Sequence, residues 1–148
     1  MRGDPDPLPL QCETSGAQET EALGAQLAEG LRPGDVVLVR GELGAGKTTL
    51  VRGIARALGV TGLVTSPTYS IGHRYHGAQV SVSHLDLYRI ARLSEEDPAL
   101  LEDYIDDQTI ALVEWPQIAG GELSQARLIL TLTHLGGHRR RIEALNRP

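Results

Sequence analysis

The sequence predicts one α/β domain, with a mostly parallel central sheet flanked by helices and closed by a C-terminal antiparallel β-hairpin. Three observations predict it. Two short, uninterrupted apolar runs, Val36-Val37-Leu38-Val39 and Ile110-Ala111-Leu112-Val113, have the spelling of strands buried on both faces. A glycine-rich segment follows the first run at once and opens onto an amphipathic stretch, the strand–loop–helix order of an α/β unit. Near the C-terminus two alternating segments, Ala126 to Thr133 and His138 to Leu145, are joined through Leu135-Gly136-Gly137, as in a hairpin.

The elements follow in order. Residues 1–9, with Pro5, Pro7 and Pro9, read as a flexible leader, and residues 10–148 as the domain. A short extended piece covers Leu10 to Glu13. Ser15 to Leu31 reads as a helix, because Leu23, Leu27 and Leu31 recur at helical spacing and Gly30 and Pro33-Gly34 close it. After the first apolar run comes a helix over Thr48 to Leu58. Leu50, Val51, Ile54 and Leu58 lie on its inner face, and Gly59 is its stop. A loop containing Ser66-Pro67-Thr68 precedes an extended stretch from Tyr69 to Tyr75 and a strand from Val80 to Leu85 that ends in Asp86. Ser94 is placed to cap a charged helix reaching Tyr104, and the second apolar run ends in Glu114.

Composition narrows the class. A chain of 148 residues is long enough to bury one substantial core, and with no Phe that core is built from Leu, Val, Ile and Ala. The formal net charge of -5 argues against a domain whose main task is gripping a nucleic-acid backbone, which calls for a basic face. The single cysteine, Cys12, has no internal partner, which fits a reducing compartment. The N-terminus lacks a basic start followed by an apolar stretch, and no apolar run reaches membrane-spanning length, so the expectation is a cytoplasmic protein without a membrane role. Among histidines 73, 76, 84, 134 and 138 no H-x-x-x-H pair lies on a helix, His134 and His138 flanking the Leu135-Gly136-Gly137 turn, so no zinc site is expected. Arg139-Arg140-Arg141 reads as a charged edge strand.

The chemistry is spelled by Gly41-Glu42-Leu43-Gly44-Ala45-Gly46-Lys47-Thr48, a complete G-x-x-x-x-G-K-[ST] phosphate-binding loop, so the domain is expected to be a P-loop nucleotide-binding domain. Glycines let backbone N–H groups approach phosphate oxygens, and the helix that follows presents its positive end to the anion. Lys47 is the chain's one lysine, every other basic side chain being arginine. A compact ammonium reaches between phosphates where a planar guanidinium is too wide. Thr48 supplies a hydroxyl for Mg²⁺. Such a loop needs carboxylates at neighbouring strand ends. Glu114 is a candidate to hold Mg²⁺ directly or through water, and Asp86 to complete the metal shell or orient the attacking water. Thr68 lies where γ-phosphate-sensing segments tend to sit. His84, two residues before Asp86, is a candidate to orient it.

The set Gly41–Thr49, Ser66-Pro67-Thr68-Tyr69, His84-Leu85-Asp86-Leu87-Tyr88-Arg89 and Glu114-Trp115-Pro116-Gln117 closely resembles the TsaE (YjeE) family, small bacterial ATPases required for threonylcarbamoyladenosine modification of tRNA. The resemblance runs from about Gln18 to Leu145. It implies that ATP and Mg²⁺ are the ligands and that Asp86 and Glu114 lie at the ATP–Mg²⁺ site. It also implies that Lys47, Asp86 and Thr68 serve hydrolysis, that residues 41 to 49 cradle the nucleotide, and that Trp115 lies close to it. The implied partners are TsaB-like and TsaD-like proteins, with tRNA met indirectly through the complex.

Two other functions share such a loop. A small-molecule kinase needs an acceptor pocket and an arginine-rich lid, for which this chain has little room. A nucleotide-gated interaction module with little catalysis needs only the binding site. The one asparagine is Asn146, so no N-K-x-D guanine-reading pattern exists and ATP is expected over GTP.

Overall fold

The structure, a computed structural model, describes residues 10–42, 45–62, 72–77, 80–86, 104–114 and 126–146. They build seven strands, β1 (Leu10–Thr14), β2 (Val36–Gly41), β3 (Gly72–His76), β4 (Ser81–Asp86), β5 (Thr109–Glu114), β6 (Leu128–Gly136) and β7 (Arg139–Asn146). Two helices accompany them, α1 (Ala17–Ala28) and α2 (Lys47–Ala57). The strands form one sheet in the order β1-β7-β6-β2-β5-β4-β3. Its middle, β6-β2-β5-β4, is parallel, and β3, β7 and β1 add antiparallel margins.

The two apolar runs became the central strands. Val37, Val39, Ala111, Leu112 and Val113 are fully buried, so β2 and β5 are covered on both faces as their spelling predicts. Helix α2 buries Leu50, Val51 and Ile54 completely, each contributing roughly 1.5–3 kcal/mol relative to an exposed side chain. It ends as expected at Gly59, whose N–H donates to the Arg56 carbonyl while that of Val60 donates to Ala55, so the last carbonyls are satisfied.

Helix α1 is shorter than its periodicity suggests. It stops at Ala28, and the N–H of Leu31 donates to the Ala28 carbonyl to close a tighter turn. α1 lies against α2 at very close range. A Cβ on Gly53 would sit 2.3 Å from the Glu21 carbonyl oxygen, so only glycine permits this approach. A buried hydroxyl pair, Thr14 with Thr20 at 2.7 Å, ties β1 to α1.

The C-terminal hairpin is present, with Gly136 and Gly137 at positive φ in its connection. One expectation is corrected. β7, with its three arginines, is an interior strand hydrogen-bonded to both β6 and β1, and the margin on that side is β1. The leader over residues 1–9 and the charged helix placed from Ser94 lie outside the described residues, apart from Tyr104, which sits in a turn.

Candidate nucleotide-binding site

The C-terminal ends of β2, β5 and β4 converge on one edge of the sheet. In open α/β sheets that edge is where ligands bind. Val39 of β2 is in register with Glu114 of β5, and Glu114 with Asp86 of β4. The glycine-rich loop leaves β2 two residues after Val39 and enters α2 at Lys47. The candidate residues therefore meet because parallel registry brings three strand ends level, although Gly41 and Glu114 are 73 positions apart in the chain.

Gly46 caps α2 in the left-handed region at φ 96°, a conformation that favours glycine and turns the chain sharply into the helix. No side chain caps this N-terminus, and α2 carries no acidic residue in its first turn. Its positive end is thus presented to whatever anion the loop receives.

Lys47 is 5% exposed, and its Nζ donates to the carbonyls of Gly41, at 2.6 Å, and Glu42, at 3.0 Å. The ammonium is thus held across the mouth of its own loop. Burial pulls its pKa below the ordinary lysine range, while the carboxylates of Glu114 and then Asp86 push it back up. The lysine and both acids therefore belong to one electrostatic unit.

The acids are themselves buried, Glu114 at 3% exposure and Asp86 at 7%. His84, fully buried, shares a short hydrogen bond from Nε2 to Glu114 Oε2. His84 orients the carboxylate on the neighbouring strand, whereas its sequence position suggested its own-strand neighbour Asp86. A charged carboxylate in such surroundings is tolerable only when paired.

Two carboxylates and the Thr48 hydroxyl are hard oxygen donors, the set Mg²⁺ prefers. Among the described residues no cluster of three or more His, Cys, Asp or Glu side chains is arranged for a metal. Nucleotide-bound Mg²⁺ takes one or two protein carboxylates and completes its shell with phosphates and water, so this donor set fits it. Leu43, Gly44, Thr68 and Trp115 lie outside the described residues. Ala45 is buried behind the loop, and Thr48 and Thr49 are half-buried in the first turn of α2.

Sequence reasoning missed Arg140. Its Nε donates to the Ala45 carbonyl at 3.0 Å, although the two residues are 95 positions apart. Alternation along β7 does set Arg140 on the opposite face from Arg139 and Arg141. Nothing local says that this face meets the loop. A separate cavity of about 540 Å³ lies at the other end of the sheet, between Leu31, Pro33, Leu58, Val80 and Ile110. Among the described residues, those walls carry no charged side chain able to bind a phosphate.

Comparison with known proteins gives the family and the fold. A family model described as threonylcarbamoyl adenosine biosynthesis protein TsaE matches residues 14–142. The chain is 37% identical over 133 residues to the tRNA threonylcarbamoyladenosine biosynthesis protein TsaE of Bacillus subtilis, covering 90% of this chain and 83% of that one. It is 42% identical over 117 residues to the protein of the same description from Streptomyces coelicolor, covering 78% and 79%. The crystal structure of Bacillus subtilis YdiB superimposes with a TM-score of 0.76 at 33% identity, covering 94% of this chain and 86% of that one.

Proposed function

The chain belongs to the TsaE family of threonylcarbamoyladenosine biosynthesis proteins, and from that premise we propose that it is a Mg²⁺-dependent ATPase. In this reading it supports tRNA N6-threonylcarbamoyladenosine formation with TsaB-like and TsaD-like partners, and meets tRNA indirectly through that complex. The observation that carries the reading is Lys47, buried, bound to the Gly41 and Glu42 carbonyls and within electrostatic reach of Glu114 and Asp86.

Each residue has a task that follows from its position. The amides around Gly46 and the N-terminal end of α2 receive the phosphates, and Lys47 finds there a stronger acceptor than two carbonyls. Thr48, Asp86 and Glu114 would hold Mg²⁺, which supplies charge neutralisation on the phosphates when bound. His84 keeps Glu114 in one orientation, and the acid not bound directly to the metal orients water. The family resemblance assigns Thr68 to sensing the terminal phosphate and Trp115 to the surroundings of the nucleotide. P-loop ATPases often need a partner to complete the site, so hydrolysis by the isolated chain is expected to be slow and to rise when the partners are added.

Calorimetry with Mg²⁺ and ATP tests the binding step, and steady-state hydrolysis with and without the two partners tests the rest. Saturable uptake, preference over GTP and acceleration by the partners are expected. A folded protein that takes up no adenine nucleotide would refute the proposal.

A further inference from the structure

The phosphate loop is braced from outside by a residue of the last strand. Arg140 Nε donates to the Ala45 carbonyl at 3.0 Å, and its Nη1 donates to the carbonyls of Gly137, at 3.2 Å, and Arg139, at 3.1 Å. Its backbone is in register with Thr14 of β1 and His134 of β6, so the guanidinium projects from a strand held on both sides. One planar group thus links the loop to the β6–β7 turn.

A trans peptide has its C=O and the following N–H on opposite sides, and the described residues contain no cis bond. Fixing the Ala45 carbonyl toward the hairpin therefore turns the Gly46 N–H the other way. Gly46 adopts a positive φ, and a Cβ there would lie 3.5 Å from Arg140 Nε, so the guanidinium sits directly against this peptide unit. The same peptide opens helix α2, whose first N–H groups have no acceptor within the helix.

We propose that Arg140 is a positioning residue for phosphate binding: it holds the Ala45–Gly46 peptide in the orientation that aims the Gly46 N–H into the loop. The proposal rests on the nucleotide-binding reading above, yet the brace is a property of the empty protein and is measurable without nucleotide. Arg139 is the internal control. It lies one residue away and pairs with Glu13 at 2.7 Å on the surface, outside the loop.

The test compares Arg140→Ala and Arg139→Ala in the full chain by two measurements. In hydrogen exchange of the nucleotide-free proteins, the amides of Ala45 and Leu50, which donate to the Glu42 and Gly46 carbonyls on either side of the braced peptide, are expected to exchange at least tenfold faster in Arg140→Ala and unchanged in Arg139→Ala. In calorimetry with Mg–ADP, Arg140→Ala is expected to raise Kd tenfold or more, with Arg139→Ala within twofold of the parent. Arg140→Lys keeps the charge and stem but lacks Nε, and it carries the same expectation should the alanine variant not fold. Unchanged loop exchange in a folded Arg140 variant would overturn the proposal. Failure of the parent protein to bind Mg–ADP would instead sink the nucleotide reading, leaving the exchange result to decide the brace.

Discussion

His84 of β4 and Glu114 of β5 are joined by a hydrogen bond that is sealed from solvent on both sides. The carboxylate has one oxygen committed to the imidazole, which leaves its remaining acceptor capacity with a defined direction. Removing the histidine as His84→Ala strands a buried acid. It is expected to cost about 1–3 kcal/mol of stability and to lower ATP hydrolysis roughly 10–100-fold, as is typical when a partner of a metal-site acid is lost. Denaturant titration and steady-state turnover measure the two effects; a variant equal to the parent in both would dismiss the bond as incidental.

Lys47→Arg tests whether cation shape matters at the loop. The guanidinium is too broad for the space bounded by the Gly41 and Glu42 carbonyls. Hydrolysis is expected to fall below detection although the charge is conserved, and near-normal turnover would contradict the assignment of Lys47.

Lys47 also predicts a pH dependence. Its folded pKa is lowered by burial, so between that value and the ordinary 10.5 the unfolded chain holds a proton that the folded chain does not. Stability then rises with pH across this window, by at most about 1.4 kcal/mol per pH unit for one proton. The stability of the parent relative to Lys47→Met is expected to climb as pH increases toward 10 and to be flat at acid pH. A difference that declines over the same interval would reverse the sign argued here.

Metal dependence is measurable through stability. At 100 times its Kd, a nucleotide adds about 2.7 kcal/mol to the folded state. Thermal melts with ATP are expected to show that gain with Mg²⁺ and to lose most of it in excess EDTA. Asp86→Asn with Glu114→Gln is expected to make the two melts coincide.

Gly53→Val addresses the helix pair that carries the loop. Its new carbon would meet the Glu21 carbonyl at well below contact distance. The helices must separate, at a cost of about 1–3 kcal/mol or more. Guanidinium unfolding should show the loss, whereas Gly62→Ala, in open space but at positive φ, should cost less.

Much of this was readable from the chain because the signals are local. The loop is spelled by eight consecutive residues, and β2 and β5 by runs that cannot face water. Gly59 announced the end of α2 because helix termination is decided within a turn. The parts that were hidden depend on registry. His84 meets Glu114 and not Asp86 because β4 and β5 lie side by side, which spacing within β4 cannot reveal. The arginines of β7 looked like the guard of a free margin because β1, which covers it, is only five residues long. α1 ended early because its last turn tightens at Leu31, a choice that leucine periodicity does not encode.

The link between Arg140 and Ala45 also has a temporal side. A ribosome releases residues 41 to 48 long before it has made the strand that steadies them. Until β7 docks between β1 and β6, the loop exists without its brace. Chains cut short before residue 139 would carry the full phosphate motif without the Arg140 contact that steadies it.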